Sequence, residues 1–211
     1  MLKTKECEEL LMNYLSNSDG WKDKDEYRYR FTHCMYVKEL AETIIEKRKD
    51  LFKNEKLNKE FLKACILHDI YKLDKNVKNH AHEAGILLME LGFSFEIAAA
   101  VMMHSDKHIP KENTKTISKY ALLLQDVDII SKYNFQLIRI LFKEPKEIIT
   151  HICDLLCRLE NTEFYIEESY DIVKKLADNL MKNFYNEVQY NITDISKSRL
   201  NKMKKYLPKQ K

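Results

Sequence analysis

Apolar residues recur at three- and four-residue intervals along most of this chain, which is the spacing of one face of an α-helix. In the first two thirds of the chain the pattern predicts five helices. Ser94 stands at the N-cap position of the fourth helix, and Glu96 lies in its first turn, where an acid complements the helix dipole. The five predicted helices cover residues 27–47, 59–71, 80–91, 95–104 and 116–133.

The last third continues with amphipathic helices that are rich in Lys, Glu and Tyr. Pro145 suits the first position of one of them, because that position needs no backbone N–H. The 211 residues include only three Gly and three Pro, so few positions break a helix. We therefore predict an all-α fold in a single domain, residues 1–211, with a core at about 24–135 and a helical extension at about 136–208. The helices predicted in the extension cover residues 145–159, 163–185 and 194–205.

Charge is unevenly distributed along the chain. The net charge is +3, but residues 197–211 carry seven basic side chains and no acid, which leaves 29 basic and 33 acidic side chains in the rest. A basic tail can bind phosphates, but cations also suit the C-terminal end of a helix. We therefore do not expect this protein to bind nucleic acid.

The five cysteines are odd in number and irregularly spaced, which is typical of reduced thiols in a cytoplasmic protein. The first fifteen residues are charged and amphipathic, unlike a secretory signal segment. No apolar run approaches the roughly 20 residues that a membrane span requires. We expect a cytoplasmic protein without a membrane segment.

The dipeptide His68-Asp69 is the most informative feature, because it ends the apolar segment FLKACILHDIYKL. A carboxylate beside core residues is costly to bury unless it is paired or binds a metal. Neighbouring side chains on a helix point about 100° apart, yet both can reach an ion that lies against the end of the helix. An imidazole nitrogen and a carboxylate oxygen suit a metal such as Zn, Mn, Fe or Mg.

Two other helices also place polar groups on faces that should be buried. His33 lies on the apolar face of the first predicted helix, with Arg30 one turn before it. Asp126 and Asp128 interrupt the most apolar helix, in the segment LLLQDVDII. Each of these polar residues, taken alone, could simply be a core residue with a hydrogen-bond partner. Three helices that each place a His or Asp inward favour a shared site instead.

These motifs resemble the HD superfamily of metal-dependent phosphohydrolases, whose signature is H…HD…D on successive helices of an all-α core. The segments here are RYRFTHC, ILHDIYK and LLQDVDII. The segment NHAHEAGILLMELGFSFEIAAAVMMHS also resembles a stretch of many bacterial HD hydrolases, in which one His opens a helix and a second His closes the next. The resemblance covers about residues 30–133.

The resemblance implies a metal site for one or two divalent ions, of Mn, Fe, Zn, Ni, Co or Mg. Asp126 competes with Asp128 for the last ligand position, and Asp128 is preferred because family members often use the second acid of such a pair. His82 competes with His80, which is preferred because it lies four residues before the pair Ala84-Gly85. The implied ligands are His33, His68, Asp69 and Asp128, with His80 and His104 added for a second metal or for phosphate.

Catalytic roles are expected for Asp69, Lys72 and Arg30. A divalent metal makes water a better nucleophile and polarises a phosphoryl oxygen, and the second oxygen of Asp69 would orient that water. Lys72 and Arg30 would hold substrate oxygens. Deoxynucleoside monophosphatases of the superfamily carry an acid where this chain has Lys72, and the paired histidines of cyclic dinucleotide enzymes do not follow His104.

By elimination, we expect hydrolysis of a nucleotide or another small phosphorylated metabolite. The alternatives are a nucleotide-binding regulatory HD protein without turnover and a helical adaptor whose inward histidines are core groups. We expect the C-terminal helices to cover the mouth of the site or to form a homodimer surface.

Overall fold

The computed structural model of this protein describes residues 2–18, 24–105 and 111–191, and the side chains of all of these except 24–25, 111–113 and 185–191. Within those ranges the chain is helical and has no strand, so the predicted all-α fold is confirmed. The helices are α1 (Thr4–Asn17), α2 (Lys24–Lys47), α3 (Glu55–Leu67), α4 (His80–Glu90), α5 (Phe95–Met102), a 3-10 helix (Lys111–Thr116), α6 (Lys119–Ser131), α7 (Phe135–Leu141), α8 (Pro145–Leu159) and α9 (Glu167–Asn191).

The chain divides into two compact units, Met1–Ser131 and Lys132–Lys211. The division falls four residues before the predicted end of the core at about residue 135, and the first unit also includes α1. That all 211 residues form one domain stays a prediction. None of the helices in the described ranges is both long and apolar enough to cross a membrane. The predicted helix 194–205 and the basic tail lie outside the described residues.

In the first unit, α2 is the central element and packs against α1, α3 and α6, while α5 packs against α3, α4 and α6. The buried face of α2 includes Cys34, Val37, Ala41 and Ile44, the helical spacing that the sequence pattern predicts. This packing places the middle of α2, the end of α3 and the second half of α6 next to one another.

Helix α3 begins at Glu55, four residues before the predicted start, because Asn54 caps it. The Asn54 Oδ1 atom accepts hydrogen bonds from the backbone N–H groups of Lys56 and Leu57, each at 3.1 Å. The helix ends at Leu67 rather than at Tyr71, and residues 68–73 form turns instead. The sequence pattern missed this end because apolar residues continue past it.

Helices α4 and α5 approach each other closely at Gly85. A Cβ atom there would lie 2.9 Å from the carbonyl oxygen of Ala98 and would also clash with the side chain of Met102. The predicted N-cap position of Ser94 on α5 is confirmed. Ser94 has N-cap geometry, but its hydroxyl makes no capping hydrogen bond, and its backbone N–H donates to the carboxylate of Glu60. The predicted placement of Glu96 in the first turn of α5 is confirmed.

In the second unit, α8 packs against α9, and α7 contacts both. Helix α8 buries a stripe of Ile148, Ile149, Ile152, Cys153 and Leu156, and Pro145 occupies its first turn as predicted. Helix α7 was not predicted, since seven residues are too few for a helical period to stand out. The 3-10 helix at Lys111–Thr116 was not predicted either, and all but its last residue lie between the predicted helices 95–104 and 116–133.

Candidate metal centre

Three helices of the first unit bring His33, His68, Asp69 and Asp128 together. The Nε2 atom of His33 lies 3.2 Å from Asp128 Oδ1 and 3.6 Å from Asp69 Oδ2. The Nε2 atom of His68 lies 3.8 Å from each of the same two oxygens. The two imidazole rings are tilted to each other, with centroids 5.3 Å apart. Residues from α2, the end of α3 and α6 therefore point their nitrogen and oxygen atoms at one small volume.

The end of α3 explains how the adjacent residues His68 and Asp69 both reach this volume. His68 is the C-cap of the helix, and the chain then turns, with Ile70 N–H donating to Leu67 O at 3.1 Å and Lys72 N–H donating to Asp69 O at 2.9 Å. The two side chains are therefore not held at the fixed angle of neighbours within a continuous helix. Both are buried.

The buried histidines are oriented by hydrogen bonds from their Nδ1 atoms. His68 Nδ1 lies 2.7 Å from the carbonyl oxygen of Cys65, and His104 Nδ1 lies 2.7 Å from that of Val101. A carbonyl only accepts, so in each ring Nδ1 carries the proton and a neutral imidazole keeps its lone pair on Nε2. This is the arrangement in which histidine binds a metal ion.

A divalent metal fits the residues that are present. The Nε2 atoms of His33 and His68 are buried and have no hydrogen-bond partner, which is costly unless something else binds them. Within the described part of the chain, two sets of three residues have ligand atoms within 4.8 Å of one another. One set is His33, His68 and Asp128, and the other is His68, Asp69 and His104. Imidazole nitrogen and carboxylate oxygen atoms at these separations can share one ion, since metal–ligand bonds are about 2.0–2.2 Å long.

His80 and His104 lie on the other side of the Asp69 carboxylate. Their Nε2 atoms are 3.2 Å and 3.3 Å from Asp69 Oδ1. His80 is the first residue of α4, while His104 follows the end of α5, and the packing of these helices brings the two rings to a centroid distance of 5.3 Å. His82 is more than half exposed and contacts Glu83 instead. Of the two competing histidines, His80 is the one at the site.

Asp126 and Asp128 occupy different environments, although both lie on α6. Asp128 contacts His33 and His68 as described above, and its side chain is 17% exposed. Asp126 is completely buried, so it is not an exposed acid at the helix edge. Among the described residues it belongs to neither set of candidate metal ligands.

Two cations lie against Asp69. The guanidinium NH1 of Arg30 donates to Asp69 Oδ2 at 2.5 Å, and the ammonium of Lys72 lies 3.9 Å from Asp69 Oδ1 and 2.9 Å from His80 Nε2. The second oxygen of Asp69, expected to be free, is therefore in contact with other groups. The Lys72 side chain is 37% exposed and that of Arg30 only 16%, so Lys72 lies at the rim of the site.

The charges within the site shift the proton affinities of its members. Burial opposes the charged form of Asp69, but His68 and Arg30 outweigh it and hold the pKa of this carboxyl well below its usual range. Burial lowers the pKa of His33, which favours the neutral ring. For His68, burial is outweighed by the Asp69 carboxylate, which raises the pKa of the ring. The Asp69 carboxyl is therefore held in its ionised form, which is the form that binds a cation.

The sequence patterns did not single out two residues that contact His33. The hydroxyl of Ser131 lies 3.0 Å from His33 Nδ1. The ring of Tyr29 stacks on that of His33, with centroids 5.9 Å apart and planes 18° from parallel, and also lies against the guanidinium of Arg30. Ser131 lies three residues after Asp128, one turn along the same helix, and this spacing is the signal that could have identified it.

The family model of the HD domain matches residues 30–133. No curated protein and no solved structure matches the chain. The matched span contains all the candidate metal ligands together with Arg30, Lys72 and Ser131, while α1 and Tyr29 lie before it. Residues 30–133 of the chain therefore form an HD domain, which belongs to an all-α family whose members are generally hydrolases and bind divalent metals.

Proposed function

We propose that this protein is a metal-dependent phosphohydrolase that acts on a nucleotide or another small phosphorylated metabolite. The observation that carries the proposal is that the buried Nε2 atoms of His33 and His68 make no hydrogen bond and face the carboxylates of Asp69 and Asp128. An arrangement of this kind is costly for a protein with no ion to bind.

His33, His68, Asp69 and Asp128 would hold a first divalent ion, and His80 and His104 would join Asp69 in holding a second. Three or more imidazoles favour Mn, Fe, Co, Ni or Zn over Mg. A divalent metal held there would make water a better nucleophile near neutral pH and would polarise a phosphoryl oxygen. Asp69 lies between the two groups of histidines, with Oδ2 towards His33 and His68 and Oδ1 towards His80 and His104.

The side chains of Arg30 and Lys72 support a phosphorylated substrate. The Nε atom of Arg30 is buried without a hydrogen-bond partner, so its N–H is available to an anionic oxygen. The half-exposed ammonium of Lys72 lies beside His80, where it can donate to a phosphate that enters from solvent. In phosphoryl transfer such donors position the group and neutralise its charge while water adds to phosphorus and the bond to the leaving group breaks.

The test is phosphate release from a panel of nucleoside mono-, di- and triphosphates, dinucleoside polyphosphates and phosphorylated sugars, each with Mn²⁺, Co²⁺, Ni²⁺, Zn²⁺ or Mg²⁺. We expect turnover of at least one compound, its loss with EDTA and its loss in Asp69→Asn. His80→Ala and His82→Ala form a matched pair two residues apart on α4, and only the change at His80 should reduce the rate.

Other results of this experiment would reject hydrolysis. Nucleotide binding by the metal-loaded protein without release of phosphate would indicate a regulatory HD protein, in which the same residues bind but do not turn over. A protein that binds no transition metal, and whose unfolding is indifferent to chelator, would indicate a helical adaptor instead.

A further inference from the structure

Ser131, the last residue of α6, connects two of the candidate ligands. It is completely buried. Its Oγ atom lies 3.0 Å from Nδ1 of His33 on α2 and 2.7 Å from the backbone carbonyl oxygen of Asp128, one turn earlier on α6. One hydroxyl group thus contacts both the ring of His33 and the helical turn that carries Asp128.

Counting hydrogen atoms fixes the direction of both hydrogen bonds. A serine hydroxyl has one hydrogen to donate and two lone pairs to accept. The carbonyl oxygen of Asp128 can only accept, so the single hydrogen of Ser131 goes to it. The contact with His33 then requires that Nδ1–H donates to Ser131 Oγ. In the neutral ring of His33 the lone pair is therefore on Nε2, the atom that faces Asp128 and Asp69.

His33 differs in this respect from the other two buried histidines. His68 and His104 donate from Nδ1 to backbone carbonyls three residues earlier in their own turns, and no substitution removes those acceptors. For His33 the acceptor is a side chain from a different helix. The tautomer of this ring therefore depends on the identity of residue 131.

We propose that Ser131 is a positioning residue for the metal centre, which holds His33 in the tautomer that can bind a metal through Nε2. Because it concerns a candidate ligand, this role rests on the proposed function. Without the hydroxyl, Nδ1–H would be buried with no acceptor, and the proton would move to Nε2, where Asp128 Oδ1 lies 3.2 Å away. A ring with a proton on Nε2 cannot bind the metal through that atom.

Because Tyr29 stacks on His33, a change of the His33 tautomer can be distinguished from a loss of packing around the ring. Both rings belong to α2 and their contact does not involve residue 131, so the plane of the imidazole is also held from another side. Removal of the Ser131 hydroxyl should change which nitrogen carries the proton more than where the ring lies. Substitution of such a hydrogen-bond partner of a ligand typically weakens metal affinity about 10- to 100-fold.

The experiment compares Ser131→Ala, Ser131→Thr and Ser169→Ala with the parent protein. Ser131→Thr keeps the hydroxyl. Ser169 is completely buried in the second unit and serves as a control for the loss of a buried serine hydroxyl. The affinity for Mn²⁺ is measured by titration calorimetry after EDTA treatment. The tautomer of His33 is read in metal-free, ¹⁵N-histidine-labelled protein from its two ring nitrogen shifts.

We expect Ser131→Ala to raise the dissociation constant for Mn²⁺ about 10- to 100-fold. Ser131→Thr and Ser169→Ala should stay within about threefold of the parent, which is below the range for a lost partner. His33 should carry its proton on Nδ1 in the parent and on Nε2 in Ser131→Ala. Equal affinity in Ser131→Ala and the parent, or equal weakening in the Ala and Thr variants, would overturn the role of Ser131.

The failure of the proposed function is distinguishable from the failure of this role. If the parent protein binds no Mn²⁺, the metal-dependent function falls, and the ring nitrogen shifts still decide whether Ser131 sets the tautomer. If Mn²⁺ binds and phosphate is released but His33 has the same tautomer with and without the hydroxyl, the function stands and Ser131 has no positioning role.

Discussion

The removal of the Asp69 carboxylate should destabilise the metal-free protein, because it leaves a buried positive charge without its partner. Asp69 is 2% exposed, and its Oδ2 atom accepts a hydrogen bond at 2.5 Å from Arg30, whose side chain is 16% exposed. In Asp69→Ala the guanidinium of Arg30 loses this carboxylate, while it stays against the ring of Tyr29 and largely shielded from water. Loss of one member of a buried ion pair costs about 3–5 kcal/mol.

The cost of leaving the Arg30 charge without Asp69 can be separated from the cost of losing the Asp69 side chain itself. In the double variant Arg30→Met with Asp69→Ala, both charges are absent and the methionine fills part of the volume of the arginine. Replacement of both members of a buried pair by apolar groups is often neutral or stabilising. We therefore expect the double variant to be more stable than Asp69→Ala alone. The effects of the two substitutions would then not be additive, as is expected for two residues in direct contact.

The assay is urea unfolding in EDTA, followed by circular dichroism at 222 nm, so that metal binding does not contribute to the free energy of unfolding. Asp50→Ala is a matched control, because Asp50 pairs with Arg48 at 2.9 Å but is exposed, and its removal should change the stability little. The reasoning would be refuted if Asp69→Ala were as stable as the parent, or if Arg30→Met failed to restore stability.

Four further outcomes follow from particular contacts. Lys72→Ala should lower kcat/KM for the substrate about 10- to 100-fold, since a hydrogen bond to a charged group contributes about 1.5–3 kcal/mol. An unchanged kcat/KM would show that Lys72 does not bind the substrate. Leu11→Ala should lower the free energy of unfolding by about 2–5 kcal/mol, because Leu11 is completely buried on α1. If urea unfolding shows a smaller decrease in this free energy, α1 is dispensable to the core. Gly85→Ala should lower the free energy of unfolding by about 1–3 kcal/mol, because the added methyl group would clash with the carbonyl oxygen of Ala98. An unchanged urea midpoint would contradict the close approach of α4 and α5. Burial raises the pKa of the Cys7 thiol to about 11, so at pH 8 an aromatic disulfide reagent should label the half-buried Cys157 first, and faster labelling of Cys7 would contradict its burial.

Some features of the candidate site could be predicted from local sequence. His68-Asp69 stood out because a charged pair ends an apolar segment, and His33 and Asp128 because each interrupts the buried face of a helix. The choice of Asp128 over Asp126 and of His80 over His82 depended on the resemblance to the HD superfamily. Spacing along one helix cannot decide such choices, since it does not specify which neighbouring helix faces each residue.

Other features depended on contacts between residues far apart in the sequence. One oxygen of Asp69 was expected to be free, but Arg30, 39 residues earlier, donates a hydrogen bond to the Asp69 carboxylate. The contact between Ser131 and His33 joins residues 98 positions apart. A buried serine at the end of an apolar helix is an ordinary core residue until its neighbour is known.

The sequence by itself determined that the chain is all-α and which residue types could form a metal site, because helical periodicity and the cost of burying charge are both local properties. Only the tertiary structure decided how these residues meet. The packing of α2 against α3 and α6 sets which nitrogen and oxygen atoms share a volume, and the end of α3 at Leu67 lets His68 and Asp69 turn towards it together. The physical reason is that the distances between ligands, and the hydrogen bonds that fix the histidine tautomers, arise between helices.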